Sequence, residues 1–110
     1  MSTPESKVRD PVVKWAKRQG FLHFRMAFRV GVKQGVPDDL FIAPGGIHVW
    51  VEFKAPTKEP TPLQQHRIAT LMDAGAMVFW TNDAQAGINA LQRVLNMATL
   101  LSAQGGGVPS

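Results

Sequence analysis

The chain has 110 residues, 45% of them hydrophobic, which suits one globular domain with a modest core and is too apolar for a disordered segment. It has no cysteine, which excludes disulfides, zinc–thiolate sites and a thiol nucleophile. No apolar run approaches a membrane span and the N-terminus lacks a signal-peptide core, so a cytoplasmic protein without a membrane partner is expected. The net charge of +4 is uneven: residues 1–33 carry eight Lys/Arg against two Asp/Glu, and residues 34–110 carry four against six. Such asymmetry fits a polyanionic partner met by the N-terminal elements, and equally a soluble helix with a solvated basic face.

Thr3-Pro4-Glu5 is a helix-start signal, with Thr as N-cap, Pro at the first helical position and an acid in the first turn; Asp10-Pro11 repeats it. Val8, Val12, Trp15 and Ala16 share one helical face, and Lys7, Lys14, Lys17 and Arg18 cover the polar side. Proline at 11 removes the bond to the Lys7 carbonyl, so either a bent helix over 4–19 or a turn followed by a helix over 11–19 is predicted, ending at Gly20. Phe21 to Arg29 reads as a strand, with Leu22, Phe24, Met26 and Phe28 on one side and Phe21, His23, Arg25, Ala27 and Arg29 on the other. His23 is read there as a strand-surface residue. Val30 to Val36 is a glycine-containing loop that can approach a ligand closely, and Lys33 and Arg29 are candidates for phosphate contacts, with Lys14 and Lys58.

The centre of the chain carries the chemistry. Asp38 opens the apolar run Leu40-Phe41-Ile42-Ala43, a short buried strand, and Pro44-Gly45-Gly46 marks a tight turn. From Ile47 to Lys54 the pattern alternates: Ile47, Val49, Val51 and Phe53 face one way, His48, Trp50, Glu52 and Lys54 the other. A hairpin of this kind pairs the start of one strand with the end of the next and so brings Asp38 beside Glu52. Two carboxylates held together repel, and each is pushed toward protonation. A hard divalent cation relieves that, and oxygen ligands of this type suit Mg²⁺ or Mn²⁺. Such a metal acidifies a bound water and neutralises charge developing on a phosphate, and Lys54 can orient the water or hold a phosphate oxygen.

Ala55 to Pro60 is a polar linker. Thr61-Pro62-Leu63-Gln64 then starts a helix with Thr61 as N-cap and Gln64 at the capping-box position; Leu63, Ile68, Leu71 and Met72 are its expected buried face, and Gly75 ends it. Ala76 to Trp80 is a near-continuous apolar run, the mark of a central or parallel strand. Asp83 or Thr81 caps a last helix to about Leu101, whose stripe of Ile88, Leu91, Val94, Leu95, Ala98 and Leu101 is read first as core packing and second, for its C-terminal half, as a dimer contact. The expected organisation is one domain over 1–102 and a flexible tail over 103–110, with an α/β fold in the order helix, three strands, helix, strand, helix and a mixed central sheet flanked by helices.

The pattern Gly35-Val36-Pro37-Asp38, then Val51-Glu52-Phe53-Lys54-Ala55-Pro56, then Pro62-Leu63-Gln64 resembles the VRR-NUC family within the PD-(D/E)XK nuclease superfamily, over about Val8 to Trp80. The resemblance implies a restriction-endonuclease-like αβββαβ core plus the C-terminal helix. It implies Asp38 and Glu52 as metal ligands with the Phe53 carbonyl as a third, Lys54 as catalytic lysine and Gln64 completing the site. It further implies an Mg²⁺- or Mn²⁺-dependent endonuclease without a small-molecule cofactor. Short free-standing members of the family occur in phages, act as homodimers and cut branched DNA such as four-way (Holliday) junctions. The chain departs from the family in its first helix: Arg9 stands where an acidic ligand is usual, with Asp10 adjacent and Glu5 one turn earlier as substitutes.

Overall fold

The structure is a computed structural model, and it describes residues 3–26 and 35–104. The elements follow the order α1 (Pro4–Arg18), β1 (Leu22–Arg25), β2 (Asp39–Ile42), β3 (His48–Phe53), α2 (Pro62–Asp73), β4 (Val78–Thr81) and α3 (Ala84–Gln104). The mixed sheet has the order β1-β2-β3-β4, with antiparallel pairs up to β3 and a parallel β3–β4 pair. This is the α/β arrangement that the sequence predicts. β4 is parallel, but it lies at the sheet's edge rather than its centre.

α1 is one helix that continues through Pro11, with no separate turn before it. Its start is a capping box: the Ser6 N–H donates to Thr3 Oγ1 and the Thr3 N–H donates to Ser6 Oγ, satisfying two amide donors that a helix otherwise leaves open. Val8, Val12 and Ala16 bury its inner face against the sheet residues Val49, Val51 and Phe53 and against Leu91, Val94 and Ala98 of α3. Asp83 caps the start of α3, its Oδ2 accepting the Ala86 N–H. It crosses α1 at Gly87, where an added Cβ would stand 3.0 Å from Val12 Cγ2. The helix runs to Gln104, and the rest of the expected tail lies outside the described residues.

β1 buries the side that its composition disfavours. Leu22 and Phe24 are exposed, whereas Phe21 is buried and His23 turns inward and stacks on Phe41 at 4.7 Å. The reading of His23 as a surface residue is therefore corrected. α1 covers only the Phe21–His23 face of this edge strand. The predicted strand to Arg29 is described only as far as Arg25, followed by a bond from the Met26 N–H to the Asp38 carbonyl. On α2, Ile68 is buried and Leu71 partly so, while Leu63 and Met72 are exposed, contrary to the predicted buried face; one narrow stripe suffices for a helix resting on a sheet margin. On α3, Leu101 of the predicted stripe is exposed, beside Met97 and Leu100. Among the described residues no helix is long and apolar enough to cross a membrane.

Candidate active site

The alternation of β3 decides the site. Val49, Val51 and Phe53 enter the core under α1 and α3, so Glu52 and Lys54 point to the opposite face, where α2 lies. The hairpin register pairs Asp39 with Val51; one step further sets Asp38 opposite Glu52. The loop before Asp38 is held by close packing. Gly35 has φ +83°, and a Cβ there would meet Leu63 Cγ and Arg67 Cγ at 3.0 Å, so only glycine lets this loop lie against the first turns of α2. Pro37 is fully buried behind it.

Gln64 ties the corner together. Its Nε2 donates to Glu52 Oε2 (3.2 Å), and its Oε1 accepts from Lys54 Nζ (3.2 Å). The same Oε1 accepts the Thr61 N–H (2.9 Å), while Thr61 Oγ1 accepts the Gln64 N–H (3.2 Å). Gln64 is thus the capping-box residue of α2 and the bridge between Glu52 and Lys54 at once.

The electrostatics are those of crowded acids. Glu52 is 4% exposed, and burial, then the charge of Asp38, push its pKa up to about 7 against the opposing pull of Lys54. Asp38, half-buried, is raised by burial and then by Asp39. Glu5 of α1 adds negative potential to both. The donor set therefore fits a hard cation: oxygen ligands, and two carboxyls whose charged forms are disfavoured by burial and by neighbouring acids and would be stabilised by an ion. Residues fit to hold it are Asp38 and Glu52, with the Phe53 carbonyl between Glu52 and Lys54 in the chain. Among the described residues, no group of three or more His, Asp or Glu side chains forms a ready-made metal cluster.

A buried ionic network lies directly behind the corner, and the sequence reading missed it. Asp39 is fully buried on the α1 face. Its Oδ2 accepts from Arg9 Nε (3.0 Å) and its Oδ1 lies 2.7 Å from His23 Nε2. Arg9, 4% exposed, also donates to Glu5 through its NH2 group and lies over the Phe53 ring, 5.3 Å from its centroid. Burial works against the guanidinium charge, but Glu5 and Asp39 outweigh it and hold Arg9 charged beyond its ordinary range. Arg9 thus fastens the start of β2, and with it Asp38, to α1. The only sequence-level signal was the doublet Asp38-Asp39, since adjacent strand residues face opposite sides.

The remaining predicted residues are distributed more loosely. Asp10 is exposed, on the α1 side that faces Lys14, Lys17 and β1, so Glu5 is the first-helix acid whose charge bears on Glu52. Lys14 is exposed on that same side. Lys58 is exposed in the loop before α2, where its carbonyl accepts from Asn82 Nδ2 (2.8 Å). Arg29 and Lys33 lie outside the described residues.

The fold that carries this corner has counterparts among solved structures. One described as a "VRR_NUC domain" superposes with a TM-score of 0.74 over 83% of this chain and 97% of its own length, at 24% identity. Another, a "VRR_NUC domain protein", gives 0.67 over 87% and 91%, at 22% identity. The chain has the VRR_NUC fold. No family model and no curated protein matches it by sequence.

Proposed function

We propose that the protein is a VRR-NUC-family nuclease, an Mg²⁺- or Mn²⁺-dependent endonuclease that hydrolyses DNA phosphodiester bonds at the Asp38–Glu52–Lys54–Gln64 corner. The observation that carries this is Gln64 bridging Glu52 and Lys54 at 3.2 Å on each side, beside a second carboxyl, within the VRR_NUC fold. A divalent cation held by Asp38, Glu52 and the Phe53 carbonyl would supply an acidified water and charge neutralisation at the phosphate. The protein's own groups supply the rest. Lys54, with one donor directed to Gln64, retains two for a phosphate oxygen or the attacking water. Gln64 orients both Lys54 and Glu52, and the N-terminus of α2 favours a phosphate nearby. Branched DNA as substrate and a homodimer as the working form follow from the resemblance of the motifs to short VRR-NUC proteins.

One observation favours a second reading, a DNA-binding module of the same fold that does not cut: the first-helix position usual for an acidic ligand holds Arg9, which is buried and committed to Asp39 and Glu5. Four-way, nicked and linear DNA incubated with the protein and Mn²⁺, with EDTA controls, separates the two. Metal-dependent cleavage, strongest on the branched substrate, is the expected result. Tight binding without product at micromolar protein would establish the second reading instead.

A further inference from the structure

Between α1 and β1 runs a concave surface of about 470 Å³ outside the carboxylate corner, lined by Asp10, Lys14 and Lys17 of α1 and by His23 and Arg25 of β1, with Arg9 at its floor. Lys14, Lys17 and Arg25 are exposed, and the ion pairs among the described residues are Arg9–Glu5, Arg9–Asp39 and His23–Asp39, which leave these three cations unneutralised. Asp10 is the one acid on the lining. The floor is fixed: His23 is held through Nε2 on Asp39 Oδ1, and Arg9 through Nε on Asp39 Oδ2. Flexible cations over a rigid polar floor suit a ligand that presents several anionic oxygens in a row.

The groove also has a direction. Its floor residue Arg9 holds Asp39, the chain neighbour of Asp38, and Glu5, whose charge acts on Glu52. Asp38 and Glu52 point to the other face of the sheet, so the groove starts one turn beyond Glu5, the α1 acid that bears on the corner, and follows α1 toward Lys17. We infer that this groove carries the sugar–phosphate backbone of the DNA strand on one side of the corner, with Lys14, Lys17 and Arg25 as its phosphate contacts. The identity of the ligand rests on the proposed nuclease function; an acidic protein segment would match the charge but has no reason to abut a corner built for a phosphodiester.

The test measures binding of the full chain to fluorescein-labelled duplex and four-way DNA by anisotropy, in EDTA so that no cutting intervenes. Lys14→Glu, Lys17→Glu and Arg25→Glu are compared singly and together with Arg93→Glu, an exposed arginine on α3, and the neutral Arg25→Gln serves as a milder companion. Each phosphate contact contributes about 0.9 to the slope of log K against log salt, so each single reversal should lower the slope by roughly one and the triple variant by two to three. The triple variant should lose at least about tenfold in affinity near 0.1 M salt, and Arg93→Glu less than about twofold. Groove variants that bind like Arg93→Glu overturn the inference, as does groove-dependent binding of labelled polyglutamate that is tighter than that of DNA. Because the readout needs no catalysis, a protein that binds through the groove but never cuts sinks the nuclease reading alone. One that cuts while ignoring the groove charges sinks the groove alone.

Discussion

Replacing Arg9 with Met keeps an apolar stem of similar length and removes the guanidinium that holds Asp39 and lies over the Phe53 ring. The variant loses the 3.0 Å bond to Asp39, the bond to Glu5 and the contact with the Phe53 ring. What matters most is what stays behind: a carboxylate with no exposed surface and only His23 for company. Removing one partner of a buried ion pair costs about 3–5 kcal/mol, whereas loss of an exposed pair costs about 0–1. Against a total stability of about 5–15 kcal/mol for a domain of this kind, the variant should be severely weakened yet measurable. With a urea slope of about 2 kcal/mol per M, the unfolding midpoint should fall by about 2 M. Adding Asp39→Asn to Arg9→Met removes the stranded charge and should recover a large part of that loss, so the two changes are strongly non-additive. A midpoint shift below about 0.5 M for Arg9→Met, or simple additivity in the double variant, would refute the claim that this buried network fastens β2 to α1.

Four further outcomes are expected. The raised pKa of Glu52 means that the folded protein binds more protons than the unfolded chain between about pH 4.5 and 7. Stability contributed there is full below the unfolded value and is lost as pH rises through about 7, by at most about 3 kcal/mol; urea titrations across this range should show the loss, and Glu52→Gln should flatten it. Thr61→Ala removes the α2 cap and should cost about 1 kcal/mol with cleavage largely kept. Gln64→Met, which keeps the Gln64 N–H bond to Thr61 Oγ1 but loses the side-chain half of the capping box and the Glu52–Lys54 bridge, should lower cleavage at least about tenfold beyond any loss of stability, read from initial rates at a temperature where both variants are folded. Lys54→Ala should abolish metal-dependent cleavage while leaving the melting temperature within a few degrees of the parent; retained cutting removes Lys54 from the mechanism.

The meeting of Asp38 with Glu52 was legible because it follows from local rules: strict alternation from Ile47 to Lys54 sets the faces, and the Pro44-Gly45-Gly46 turn sets the register. Both glycines adopt positive φ, +91° and +92°, as such a turn requires. The double use of Gln64 was legible in part, since Thr-Pro-Leu-Gln announces a capping box, while the bridge to Lys54 depends on where α2 settles. The Arg9–Asp39–His23 network was not legible. A buried charge is stable only with its partner, and these partners are 30 and 16 residues apart in the chain. The same dependence on tertiary cover explains the exposed Leu22 and Phe24: alternation gives two faces, and only the position of α1 says which is buried. The narrow apolar face of α2 and the edge placement of β4 are likewise set by the order of the strands, which no stretch of sequence encodes locally.

The account stands on a cation-binding corner shared by Asp38 and Glu52, and calorimetric titration of Mn²⁺ into the protein at about pH 6.5, below the raised Glu52 pKa of about 7, tests it most directly. Saturable binding that releases protons, and that is lost in both Asp38→Asn and Glu52→Gln while each variant remains folded, is the predicted result. Mn²⁺ binding that is absent from the parent, or unchanged in both variants, would contradict it.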